Sequence, residues 1–136
     1  TADGDTARRY EESGTFDLPT RAGIGAAVEW LKQIGIDSIQ DRNRQLSDQL
    51  RAGVSSIPGM QIVNSPECSF VAPGTTLVQP VGGDCAGWRE NIQNRYNIRV
   101  DDHIRDGHDA MRISTHYFNS PAQIDRLIAA IAAEAH

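Results

Sequence analysis

The chain has 136 residues, of which 39% are hydrophobic and 23% charged, with a net charge of −5. That is one domain's worth of ordinary globular composition, long enough to bury a core. The acidic balance argues against a general nucleic-acid surface, which needs a basic patch. No apolar run approaches the ~20 residues that span a bilayer, so no membrane segment is expected.

The opening, Thr1 to Thr6, is small and polar, starts without methionine and contains no charged-then-apolar leader. It reads as the start of a cut or partial chain. The two cysteines, Cys68 and Cys85, make no disulfide framework and read as free thiols of a cytoplasmic protein.

Residues 9–19 read as a loop or short strand stopped by Pro19. From about 20 to 34 the apolar set Ile24, Val28 and Leu31 recurs at helical spacing, with Gly35 as a stop. Asp37 and Gln40 predict a capping box for a second helix, whose stripe is Ile39, Leu46, Leu50, Val54 and Ile57. Pro58-Gly59 ends it. Ile62 and Val63 predict a short strand, and residues 64–74 a loop. Thr75 to Val81 is the next strand, with Pro80 marking an edge or a strand end.

Asp84 predicts the cap of a helix running to about Arg95, with Cys85, Trp88 and Ile92 facing inward. On that stripe Cys85 reads as a packed core thiol. Ile98 and Val100 alternate as a third strand, residues 101–109 read as a charged loop, and 110–115 as a fourth strand. Ser120-Pro121-Ala122-Gln123 is a strong helix start, and Ile124, Leu127, Ile128 and Ile131 form the buried stripe of that helix. Helix, helix, strand, strand, helix, strand, strand, helix predicts an α+β fold: a small mixed or antiparallel sheet of about four strands covered by helices.

The chemistry centres on Gly107 to Asn119. Successive strand residues point to opposite faces, so Met111 and Ile113 share one face and Arg112 and Ser114 the other. A half-buried guanidinium needs an anion, and its planar fork suits a carboxylate or phosphate. Spacing alone leaves two readings open: an ion pair with one of the 18 acidic residues, or a bound ligand. The acidic and histidine residues of 101–109 match no strong metal-site template. A solvated loop with mutual charge pairing is expected there, and no metal.

Two motifs carry a resemblance. Arg112-Ile113-Ser114, then Tyr117-Phe118-Asn119 and the helix with Ile124-Asp125-Arg126-Leu127, resemble the C-terminal strand and helix of class V aminotransferase-type enzymes. These enzymes use pyridoxal phosphate (PLP) and include cysteine desulfurases, C–S lyases and isopenicillin N epimerase-like proteins. Arg9 to Asp17, with its Gly14-Thr15 pair, resembles the loop entering the helix that leads to their small domain.

The resemblance implies that residues 1–19 end a large-domain segment or form a mobile loop. It makes 20–35 a long connecting helix and 36–136 the small C-terminal domain. It implies that Arg112 binds the α-carboxylate of an amino-acid substrate, with His108 and His116 lining the same cleft. It also implies that Thr15 and Gly14 contact the cofactor phosphate, across a homodimer interface.

The reactive cysteine that desulfurases of this group carry before the arginine strand has no counterpart in residues 101–111. This leans toward a lyase, epimerase or transaminase. PLP chemistry needs a lysine. The only one here, Lys32, sits in an amphipathic helix without the family's lysine motif. The resemblance therefore implies a PLP-binding large domain as partner and no catalysis by these residues alone. The alternative is a non-catalytic binding or assembly module that pairs with a separate catalytic half.

Overall fold

In the computed structural model, which describes residues 17–63, 74–105 and 107–135, four helices accompany a four-stranded antiparallel sheet. The chain separates into two units, Thr1–Ile36 and Asp37–His136.

Helix α1 (Leu18–Ile34) belongs to the first unit. It starts two residues before the expected point, because Asp17 caps it. The Asp17 carboxylate accepts from the Thr20 backbone N–H at 3.1 Å and from the Thr20 hydroxyl. Pro19 opens the helix instead of stopping a strand: a proline in the first turn lacks only an N–H that would have no helical partner. Its expected stripe is not buried; Ile24 is 60% and Val28 44% exposed.

Helix α2 (Ile36–Ser55) starts one residue before Asp37, which therefore lies inside the first turn and is not its cap. The expected stripe holds: Leu46, Leu50 and Val54 are fully buried and Ile57 nearly so. Gly53 sits where a Cβ would meet the Ile128 side chain at 2.4 Å, so glycine is what lets α2 approach that residue so closely.

Strands β1 (Met60–Ile62), β2 (Thr75–Pro80), β3 (Asp101–Arg105) and β4 (His108–Ser114) lie in the order β1-β2-β4-β3. Pro80 is the last residue of β2, pairing with Met60, which agrees with its reading as a strand end. Along β2 burial alternates, with Thr76 and Val78 inward. The register sets Thr76 opposite Ile113 and Val78 opposite Met111, so one face of the sheet is apolar and enters the core.

The third strand departs from the sequence expectation. It spans Asp101–Arg105, within the segment read as a loop, while Ile98 and Val100 precede it. The ladder runs from Asp101↔Arg112 to Arg105↔His108, and Gly107 takes φ 78° between the strands. An edge strand can expose charged side chains, so its polar sequence erased the apolar alternation.

Helix α3 (Cys85–Tyr96) is capped by Asp84, which accepts from Gly87 N–H at 3.0 Å. Helix α4 (Pro121–Glu134) carries the expected capping box on Ser120 and Gln123. The core gathers Leu46, Leu50 and Val54 of α2, Ile92 of α3, Ile124, Leu127 and Ile131 of α4, and Val78, Met111 and Ile113 of the sheet. Among the described residues no helix is long and apolar enough to cross a membrane.

Candidate carboxylate-binding site

Arg112 lies on an interior strand, flanked by Leu77 of β2 and Asp101 of β3 in register. Met111 and Ile113 on either side of it are buried, and this packing fixes the strand's orientation. The Arg112 guanidinium therefore emerges on the face away from that apolar pair. Its Nη2 donates to Asp101 Oδ2, and the two side chains remain 41% and 57% exposed. The ion-pair reading from the sequence is thus realised, in an accessible setting. Asp101 Oδ1 also accepts from the Asp102 backbone N–H at 3.0 Å. That bond first, and then Arg112, hold the Asp101 carboxyl below its ordinary range.

A cavity of about 580 Å³ opens over this pair. Its lining includes Arg89 and Gln93 of α3, Arg99 before β3, and Asp101, Arg112 and Ser114. A second cavity of about 260 Å³ adjoins it near the start of α4, and Arg99 and Ser114 border both. Within the larger cavity three arginines face one carboxylate. Arg99 is exposed and has no ion pair among the described residues. Arg89 reaches Glu90, its chain neighbour, only at 3.9 Å. The Nε atoms of Arg89 and Arg112 are buried without a hydrogen-bond partner among the described residues. Such a pocket suits an anion, whose charge-assisted hydrogen bonds to guanidinium are strong ones.

The other sequence candidates fall elsewhere. His108 begins β4, exposed, opposite Arg105. His116 follows β4, also exposed, with its ring 4.4 Å from that of Tyr117 and 4.7 Å from that of Phe118. Neither borders the larger cavity; each is four residues from Arg112, about 13 Å along an extended chain. Thr15 and Gly14 lie outside the described residues, as does Cys68. Arg89, Arg99 and Asp101 were missed from sequence. The alternation Arg99-Val100-Asp101 was the available signal, because Val100 is buried and its neighbours are exposed.

Cys85 is fully buried, as its place on the α3 stripe predicts. Its Sγ donates to the Asp109 carbonyl at 2.7 Å. Burial, and then the Asp109 carboxylate, push the thiol up to about 12. It is a packed group and a poor nucleophile at neutral pH. Lys32 lies on α1 with Nζ 2.8 Å from Glu29, both side chains well exposed.

Comparison with known proteins agrees with this architecture. The chain is 28% identical over 127 residues to isopenicillin N epimerase from Amycolatopsis lactamdurans, covering 93% of this chain and 32% of that protein. Its fold superimposes on the cysteine desulfurase CsdA from Escherichia coli with a TM-score of 0.76 at 18% identity, covering 91% of this chain and 32% of the other. A NifS-like protein from Rickettsia africae gives 0.72 at 22% identity, over 89% and 35% of the two chains. At such identities the structural likeness speaks for the fold alone. The chain spans about a third of the length of the relatives it matches. The profile of the family described as Aminotransferase class-V matches residues 4–127. The chain belongs to the class V aminotransferase family, whose members depend on pyridoxal phosphate.

Proposed function

We propose that these residues are the C-terminal, substrate-binding portion of a PLP-dependent class V enzyme acting on an amino acid, with Arg112 anchoring the α-carboxylate. One observation carries the reading: the Arg112 guanidinium opens into a cavity where its partner, Asp101, is itself half-exposed and exchangeable. A carboxylate entering there meets a pre-positioned fork on a strand held from behind by the core.

Bound PLP withdraws electrons from the Cα of an amino acid attached to it. The described residues do not fit its covalent attachment. The sole lysine of the sequence pairs with Glu29 on an exposed helix. The attachment lysine is therefore assigned to a large domain outside these 136 residues. Such a chain is inactive alone and works with that large domain and as a homodimer. In this reading Gly14 and Thr15 contact the cofactor phosphate, while His108 and His116 stand at the two ends of the arginine strand as substrate-side groups. The absence of cysteine from residues 101–111 and the inert setting of Cys85 favour C–S lyase, epimerase or transaminase chemistry over a persulfide-forming reaction. Cytoplasmic residence is part of the same proposal.

The test adds PLP and L-alanine separately to the purified chain. After gel filtration to remove free PLP, no protein-bound visible-absorbance band should remain, and L-alanine should bind weakly and be lost in Arg112→Gln. A band that disappears in Lys32→Ala would contradict the assignment of the lysine elsewhere. L-alanine binding indifferent to Arg112→Gln would contradict the anchoring role.

A further inference from the structure

We infer that the Arg112 cavity takes a ligand with two acidic groups, Arg99 being the anchor for the second. The inference rests on the reading of Arg112 as a carboxylate site and adds the class of ligand.

Three arginines from three segments line one cavity: Arg89 from α3, Arg99 from the link to β3, and Arg112 from β4. Among the described lining residues Asp101 is the one acid, leaving a local charge of about +2 in a chain whose net charge is −5. Arginines crowded together without counter-ions repel one another, and each charge in excess favours an anion. Arg112 has its counter-ion in Asp101. Arg99 has none among the described residues, and Arg89 has only the loose contact to its chain neighbour.

Placement matters as much as count. Val100 is buried while Arg99 and Asp101 on either side of it are exposed, and both border the cavity. Asp101 is directly opposite Arg112. Arg99, two residues before that pair, borders the same cavity as Arg112, about 7 Å along an extended chain from Asp101. Long flexible guanidinium arms bordering one cavity can each hold one end of a short diacid. A monocarboxylate would satisfy Arg112 and leave Arg99 unmatched. The ligand class is therefore an amino acid, or a larger acid, bearing a second carboxylate or a comparable anion.

The experiment is an NMR titration of the chain with propionate and with succinate, glutarate and adipate at constant ionic strength. The best dicarboxylate should bind at least about tenfold more tightly than propionate, a difference of about 1.4 kcal/mol. Arg99→Gln should erase that preference and leave propionate binding intact, whereas Arg112→Gln should weaken both. Arg105→Gln removes the same charge from β3 outside the cavity and should alter neither. Arg99 is exposed and without an ion pair among the described residues, so its variant should fold; retained spectral dispersion confirms that. Propionate binding that depends on Arg112, with dicarboxylates no tighter, would overturn this inference and leave the carboxylate site standing. A dicarboxylate preference that survives Arg99→Gln would also overturn it. Propionate binding unaffected by Arg112→Gln, or no binding of any probe, would overturn both.

Discussion

Asp109 and Arg112 lie three residues apart on β4, and each brings a charge to the same strand, but they are used in opposite ways. Asp109 Oδ2 accepts from the Asp84 and Cys85 backbone N–H groups at 3.1 and 3.4 Å, while its carbonyl takes the Cys85 thiol. Its partners are backbone groups at the start of α3, which have no other place to go. Arg112 pairs with an exposed side chain beside an open cavity. A charge whose partners are the fixed donors of a helix end holds the fold together. A charge whose partner can move aside is free to bind something else.

The largest expected effect separates the two residues by readout. Arg112→Gln should cost about 2–4 kcal/mol in carboxylate binding, since charged hydrogen bonds are the strong ones. Its effect on stability should stay within about 0.5–1 kcal/mol, as for an exposed pair. Titration and urea unfolding of the same variant check both. A large stability loss would make Arg112 a structural residue like Asp109.

Asp109→Ala should show the reverse: about 1–3 kcal/mol lost in urea unfolding, because two backbone donors at the start of α3 lose their carboxylate acceptor. The carboxylate affinity of the cavity should change little. If stability is untouched, the tie between β4 and α3 is not a fold determinant.

Alkaline pH sharpens the same contrast. The folded Cys85 thiol is raised to about 12, against an ordinary value of 9.0. Between those limits the unfolded chain gives up a proton that the folded chain keeps, so the unfolded state binds fewer protons and stability falls as pH rises. The stabilisation is complete below about 9 and lost on passing through 12. Urea midpoints at mildly to strongly alkaline pH should decline more steeply in the wild type than in Cys85→Ala.

The smallest effect concerns Asp101. Its carboxyl is held below the ordinary range, so it stays ionised on Arg112 until acid. The contribution of the pair is present above the unfolded carboxyl's pKa and is lost as pH falls through the folded one. Asp101→Asn should therefore tighten propionate binding at neutral pH, by up to about fivefold, because an exposed ion pair competes only weakly. A weaker affinity instead would make Asp101 a support for the Arg112 side chain, not its competitor.

Elements defined by apolar period and caps were legible in the sequence. The stripe Leu46, Leu50, Val54 and the Ser120 box are where they were expected, as is Cys85 in the core. Arg112 on its strand was legible too, since Met111 and Ile113 bracket it. Strand β3 was not. Its residues, Asp101 to Arg105, are exposed or half-buried at a sheet edge, where the period-two signal has no apolar side to display. The Asp106-Gly107 dipeptide, a strong hairpin signal, was the feature to weigh. The arginine cavity was illegible for a related reason. Arg89, Arg99 and Arg112 come from separate segments, and only the β3–β4 register and the α3 placement bring them to one cavity.

The central claim is that the Arg112 guanidinium is available to an external carboxylate. The most direct measurement follows the Arg112 side-chain Nε–H resonance, assigned by its loss in Arg112→Gln, as propionate is added at fixed ionic strength. A saturable shift that chloride does not reproduce is expected. An Arg112 signal unmoved by propionate in both the wild type and Asp101→Asn would contradict it, leaving Arg112 a structural partner of Asp101.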